Sequence, residues 1–224
     1  MDKTNITLFK LHTHVDKKIV NHIKKQNKIL EQFFEIKLSN IPVTIVDSRE
    51  EFATFTGCTI QPWLVGLTNY YSICLLNPKI YLRKYKTSKN EQQRFQKLTT
   101  HELTHFYIHH KLKVTNPKWL MEGLCDYFAS KEAVKPQLKE LLNLEHYFSV
   151  YSGIYFQDGS IYRVGYFLVD LLIEKYGLNK IKQLIFSLDK GLTPKLFNQL
   201  FFKIYGFKLD KKELIKIAKE NGLK

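Results

Sequence analysis

The chain is poor in the residues that build cysteine frameworks. Of 224 residues only three are cysteines, Cys58, Cys74 and Cys125. Their number is odd, their spacings are wide and no CxxC pair occurs. A disulfide scaffold or a cysteine zinc site is therefore not expected, and a reducing compartment fits best. A long apolar run is also lacking. The opening MDKTNITLFKLHTHVDKK has no apolar h-region, and the best apolar stretch, VGYFLVDLLI, is broken by Asp170 and too short to cross a bilayer. Neither a signal peptide nor a spanning helix is expected, so the chain reads as cytoplasmic with no membrane partner. Acidic residues are scarce: 21 Asp+Glu against 35 Lys+Arg leave a formal charge of +14. The basic residues are mostly lysines and are scattered, whereas a nucleic-acid binder concentrates Arg and Lys on one element. The excess reads as an ordinary basic surface and argues against a nucleic-acid partner. No internal repeat or low-complexity segment stands out.

The chain is 44% hydrophobic and 14% aromatic, enough for one large domain or two small lobes around a buried core. Residues 14–38 place Val15, Ile19, Ile23, Leu30, Phe33 and Phe34 at helical spacing, which predicts a long amphipathic helix. IPVTIVD, residues 41–47, reads as a strand, and Ser48 with Glu51 reads as a capping box opening a short helix that ends near Gly57. WLVGLTNYYSICLLNPKIYL, 63–82, reads as two or three strands with a break at Asn77-Pro78. A helix is expected from about Ser88 to Lys111, and another entered near Pro117. After a Tyr- and Gly-rich loop at 147–160, helical patterns fill 161–176, 178–189, 194–204 and 210–221. The expected fold class is α+β, with a sheet-containing N-terminal lobe and a helical C-terminal lobe. Residues 1–40 would be an N-terminal helix packed on the domain, 41–111 the sheet lobe and 112–224 the helical lobe, within one catalytic domain.

Four of the eight histidines fall in HELTHFYIHH, residues 101–110. On a helix, His105 lies about 40° round from His101 and roughly 6 Å along, so both rings can reach one tetrahedral ion. Glu102, about 100° from His101, flanks the same stripe, where it can meet an attacking water without ligating the metal. This is the physical content of HExxH: two ligands and a general base on adjacent turns. A catalytic zinc needs a third protein ligand. His109 lies about 12 Å along the axis from His101 and His110 about 180° round. A metzincin would need HExxHxxGxxH, and Ile108 and Lys111 stand where the glycine and third histidine should be. Glu122, in PKWLMEGLCDYFAS, is the remaining candidate, with Asp126 at i+4 on the same helix face. Asp126 could accept a ring N–H from a zinc-bound histidine and fix its tautomer. His12 and His14, in HTH, read as incidental.

HELTH followed by WLMEGLCDY, with sixteen residues between His105 and Glu122, resembles the gluzincins, particularly the short peptidase MA-like metallohydrolases. IPVTIVDSREEFATFTG and WLVGLTNYYSICLLNP are similar to that group's upstream strand, helix and strand pair, the latter including Gly66. IYRVGYFLVDLLIEKYG resembles its downstream helix ending in Y-G. Residues 41–220 are covered. The resemblance implies a zincin-like fold, one zinc ion held by His101, His105 and Glu122, and Glu102 as general base. The activity implied is peptide-bond hydrolysis by a zinc-activated water. It also implies that a peptide or protein substrate pairs with an edge strand at 72–77, and that a tyrosine steadies the oxyanion. Tyr162 is the position that matches, with Tyr151 and Tyr155 as rivals. No GxMEN-like motif precedes the helix and no NExxSD helix follows, which sets the chain apart from the large aminopeptidases and from thermolysin-like enzymes. The alternative is a regulatory or binding protein on a zincin scaffold; an intact Glu102 argues against it, since a purely structural site has no use for a non-ligand glutamate there.

Overall fold

The run of branched and apolar residues in NIPVTIV builds an interior strand of a small mixed sheet. The computed structural model describes residues 5–10, 17–59, 61–81, 88–129 and 160–220. They form two compact units, Met1–Lys111 and Leu112–Lys224. In the first unit the strands are β1 (Asn5–Lys10), β2 (Asn40–Val46), β3 (Gly66–Thr68) and β4 (Ile73–Leu76), in the order β1-β2-β4-β3. β1 and β4 run parallel to β2, with Ile6 opposite Ile41 and Val43 opposite Ile73; β3 is antiparallel to β4, with Leu67 opposite Cys74. Val43–Val46 and all four residues of β4 are buried, the continuous apolar pattern expected of strands covered on both faces.

Among the described residues four helices accompany the sheet in this unit: α1 (Lys17–Phe34), α2 (Arg49–Thr56), α3 (Pro78–Tyr81) and α4 (Ser88–Lys111). The capping signals act as the sequence predicts. Ser48 Oγ accepts from the Glu51 N–H at 3.0 Å, and Gly57 closes α2 with φ +66°. Glu51 turns back to accept from the Asp47 N–H at 2.9 Å. α4 is the core helix of the unit: Phe95, Leu103, Phe106, Tyr107 and Ile108 are buried, and Tyr107 stacks on Phe34 of α1. The hydroxyls of Thr99, Thr100 and Thr104 donate to carbonyls one turn back, which satisfies polar groups in this dry environment.

Two expectations are corrected. Residues 1–40 are not simply a helical segment, because Asn5–Lys10 forms a strand of the sheet; alternation in NITLFK is the local cause, and the long helical pattern after it hides so short a strand. The 72–77 segment is not an edge. β4 lies between β2 and β3, because the chain reverses at Asn69–Ser72 and lays Gly66–Thr68 along its flank. Among the described residues the open edge on that side is β3.

The second unit is helical: α5 (Lys118–Ala129), α6 (Ser160–Tyr176), α7 (Leu178–Phe186), α8 (Pro194–Tyr205) and α9 (Lys211–Glu220). α5 and α6 meet backbone to backbone. A Cβ on Gly123 would lie 2.2 Å from the Gly165 carbonyl oxygen, and one on Gly165 would lie 2.3 Å from that of Trp119. Trp119, Phe197 and Phe201 anchor the apolar interior beside Ile181, Leu184 and Leu214. Thr193 caps α8, Pro194 fills its first turn and Gly206 ends it at φ +81°. The chain is thus mixed α+β and mostly helical. Among the described residues no helix is long and apolar enough to cross a membrane.

Candidate functional site

Within the first unit, α4 brings His101, Glu102 and His105 together. The two imidazoles meet edge to face, and their Nε2 atoms lie 3.2 Å apart. A tetrahedral ion with Zn–N bonds of about 2.0–2.1 Å separates two ligand nitrogens by ~3.3–3.4 Å. The histidine pair therefore fits one such ion without a change of backbone. Both rings are half-buried, which leaves them approachable from one side.

Glu102 is buried, and strand β3 forms the wall against which it lies. Thr68 Oγ1 donates to Glu102 Oε2 at 2.7 Å and is 3.0 Å from the Glu102 carbonyl oxygen. Gly66 leaves room for the carboxylate: a Cβ there would sit 2.7 Å from Oε1 and 2.9 Å from Cγ. On the strand beyond, the Cys74 thiol is pushed up to about 12, mainly by burial and secondarily by the Glu102 charge. Cys58, Cys74 and Cys125 form no disulfide.

The hydrogen-bond pattern of β3 gives its other face a meaning. Val65 O accepts from the Leu76 N–H and the Asn69 N–H donates to Ser72 O, so Val65, Leu67 and Asn69 turn their peptide groups toward β4. By the alternation of an antiparallel pair, Gly66 and Thr68 turn theirs toward the open edge. The two residues that touch Glu102 are thus the ones that would pair with an added strand. Exposed Trp63, Tyr70 and Tyr71 flank this strand.

The other two histidines of the opening motif have different surroundings from the pair. His110 stacks on Tyr70, with ring centroids 4.4 Å apart, and also contacts Phe106. His109 is half-buried in the last turn of α4.

In the second unit, Glu122 is buried near the middle of α5, on a helix otherwise apolar around it. A carboxylate in such a place needs a cation or several donors to remain charged. The glycine that follows it in WLMEG is explained by the crossing with α6, where no side chain fits. Asp126 follows one turn on and is half-buried. Cys125, three residues after Glu122, is fully buried. Tyr162 stands in the first turn of α6 and is 36% exposed, while Tyr166, one turn on, is buried. Burial raises the Tyr166 pKa above the ordinary phenol value, and the charges of Asp170 and Asp126 and the Tyr127 phenol add to the effect. Tyr151, Tyr155, His12 and His14 lie outside the described residues.

The sequence alone reveals the two histidines and the glutamate of α4 because they share one helix. It does not reveal Thr68, whose contact with Glu102 spans 34 positions. A threonine and a glycine two apart in a short strand give no local signal of what lies across from them. Comparison of the chain with protein-family models and with curated proteins finds no match.

Proposed function

We propose that this chain is a zinc-dependent metallopeptidase of the gluzincin type, with a zincin-like fold. The observation that carries the proposal is the His101–His105 pair, whose Nε2 spacing of 3.2 Å suits one tetrahedral ion, with the buried Glu102 carboxylate on the same helix. His101, His105 and Glu122 are the proposed ligands of a single Zn2+. When bound, zinc supplies a Lewis acid that polarises the scissile carbonyl and acidifies the attacking water. Glu102 takes the water's proton and later delivers it to the leaving amine. Tyr162 is the proposed donor to the oxyanion, and Asp126 the proposed acceptor of a ligand histidine's second N–H. An extended peptide substrate pairs with the outward peptide groups of Gly66 and Thr68 on β3. The proposed compartment is a reducing one, from the chain's cysteine usage.

Metal analysis of the purified protein tests the reading. The wild type should hold about one zinc per chain, His101→Ala should lose it, and Glu102→Gln should keep it while losing nearly all hydrolysis of casein. Equal zinc in the wild type and His101→Ala would remove the site. Full activity in Glu102→Gln would remove the base assignment. The third ligand has its own test, because Cys125 offers a sulfur atom one turn from Glu122. Glu122→Ala should lower zinc affinity by orders of magnitude and Cys125→Ser should not; the opposite result would exchange the two roles.

A further inference from the structure

We infer that Thr68 and Gly66 are positioning residues that fix the Glu102 carboxylate, an inference that rests on reading Glu102 as the general base. The Thr68 hydroxyl has one proton to give. Its oxygen is 2.7 Å from Glu102 Oε2 and 3.0 Å from the Glu102 carbonyl oxygen, so the carboxylate is the nearer acceptor. One lone pair of Oε2 is thereby occupied. Oε1 rests against the bare Cα of Gly66, where a Cβ would come within 2.7 Å, and it is the oxygen left to take a proton. A charge-assisted hydrogen bond on one oxygen and a close backbone on the other leave the carboxylate one orientation.

The same strand faces the other way with its peptide groups. Gly66 and Thr68 turn their N–H and C=O groups toward the open edge, while the Thr68 hydroxyl and the bare Gly66 Cα meet Glu102. A substrate strand paired at Thr68 is then held in register with the base by a single residue. General-base catalysis depends steeply on such placement: an error of about 1 Å can cost ~100-fold in rate.

The atoms that a Cβ at residue 66 would strike are the Glu102 carboxylate, its Cγ and Leu98 Cδ1, all parts of flexible side chains. The fold can therefore yield to Gly66→Ala by swinging Glu102 aside, which would move the base and spare the core. Thr68→Val keeps the shape and removes the donor, and Thr68→Ser restores the donor.

The test compares wild type, Thr68→Val, Thr68→Ser, Gly66→Ala and Glu102→Gln. It measures zinc content, melting temperature, casein hydrolysis, and the order of the Glu102 carboxylate by NMR of 13C-labelled glutamate. Thr68→Val and Gly66→Ala should keep zinc and fold, lose roughly 10–100-fold in kcat with KM little changed, and show a mobile or displaced Glu102 carboxylate. Thr68→Ser should recover most of the lost rate. A Thr68→Val protein with wild-type kcat, or with its Glu102 carboxylate as ordered as in the wild type, would overturn the inference. Should Glu102→Gln leave casein hydrolysis intact, the general-base reading fails by itself, and the carboxylate's order in Thr68→Val still decides whether Thr68 holds it.

Discussion

At the scale of single residues, the contact between α1 and α4 shows how a polar group is kept inside. The Tyr107 hydroxyl donates to Asn27 Oδ1 at 2.6 Å, and Asn27 Nδ2 donates to Glu31 at 3.0 Å. Burial, and then the Glu31 charge, raise the Tyr107 pKa well above the ordinary phenol range. Tyr107→Phe would leave Asn27 Oδ1 buried without its donor and should cost about 1–3 kcal/mol, read from the midpoint of urea unfolding. An unchanged midpoint would mean that water replaces the hydroxyl. His22, in the same contact, lies 2.8 Å from Thr100 Oγ1 and 3.1 Å from the Gln96 carbonyl. Burial lowers its pKa, opposed by the Gln96 bond and helped by Lys25. A folded-state pKa below the unfolded value of about 6.5 means that folding favours the neutral ring. Its contribution is fully present above about pH 6.5 and is lost as pH falls through the folded value. Denaturation midpoints measured from pH 7.5 to 5 should drop in the wild type and drop less in His22→Gln. Equal slopes would assign the acid sensitivity to other groups.

Elements show which features are legible locally. Ser48 and Glu51 lie within one turn, and their part in starting α2 could be read from the sequence because capping needs only neighbours in the chain. Ser48→Ala should cost about 1 kcal/mol for the same reason. The α5–α6 crossing is the opposite case. Gly123 and Gly165 sit inside helical patterns where glycine is unfavourable, and nothing adjacent explains them. Their cause is a second backbone at van der Waals distance, 42 positions away in the chain. Gly123→Ala would gain helix propensity and still destabilise, by about 3 kcal/mol or more, because a backbone carbonyl cannot step aside as a side chain can. Calorimetry of the variant gives the sign directly, and a raised melting temperature would contradict the close crossing. Strand β1 was concealed by similar logic. Six residues with weak alternation become a strand because β2 offers them a parallel ladder.

For the molecule as a whole, charge and metal set the expected response to solvent. A formal charge of +14 on 224 residues opposes compaction through self-repulsion. Raising ionic strength from about 10 mM to 150 mM shortens the screening length from ~30 Å to ~8 Å and should raise the melting temperature. A melting temperature that falls with salt would show that favourable ion pairs outweigh the repulsion. Zinc at the proposed site would bind the folded chain in preference to the unfolded one, so at a hundredfold excess over its Kd it should add about 2.7 kcal/mol of stability. A chelator should remove that increment from the wild type and change nothing in His101→Ala.

The sequence by itself determined whatever depends on neighbours along the chain. It fixed the mixed α+β character, most helix positions and caps, and the HExxH stripe, since a turn of helix carries His101 to His105 whatever surrounds it. It also singled out Glu122 as a candidate third metal ligand, through the motif around it. Tertiary structure decided what depends on distant segments meeting. It made β4 an interior strand and, among the described residues, β3 the open edge, because the Asn69–Ser72 reversal folds one onto the other. It also set Thr68 and Gly66 against the Glu102 carboxylate. Side-chain patterns report burial and period; they do not report which strand lies outermost or what a hydroxyl finds across 34 residues, because those follow from packing that no local propensity encodes.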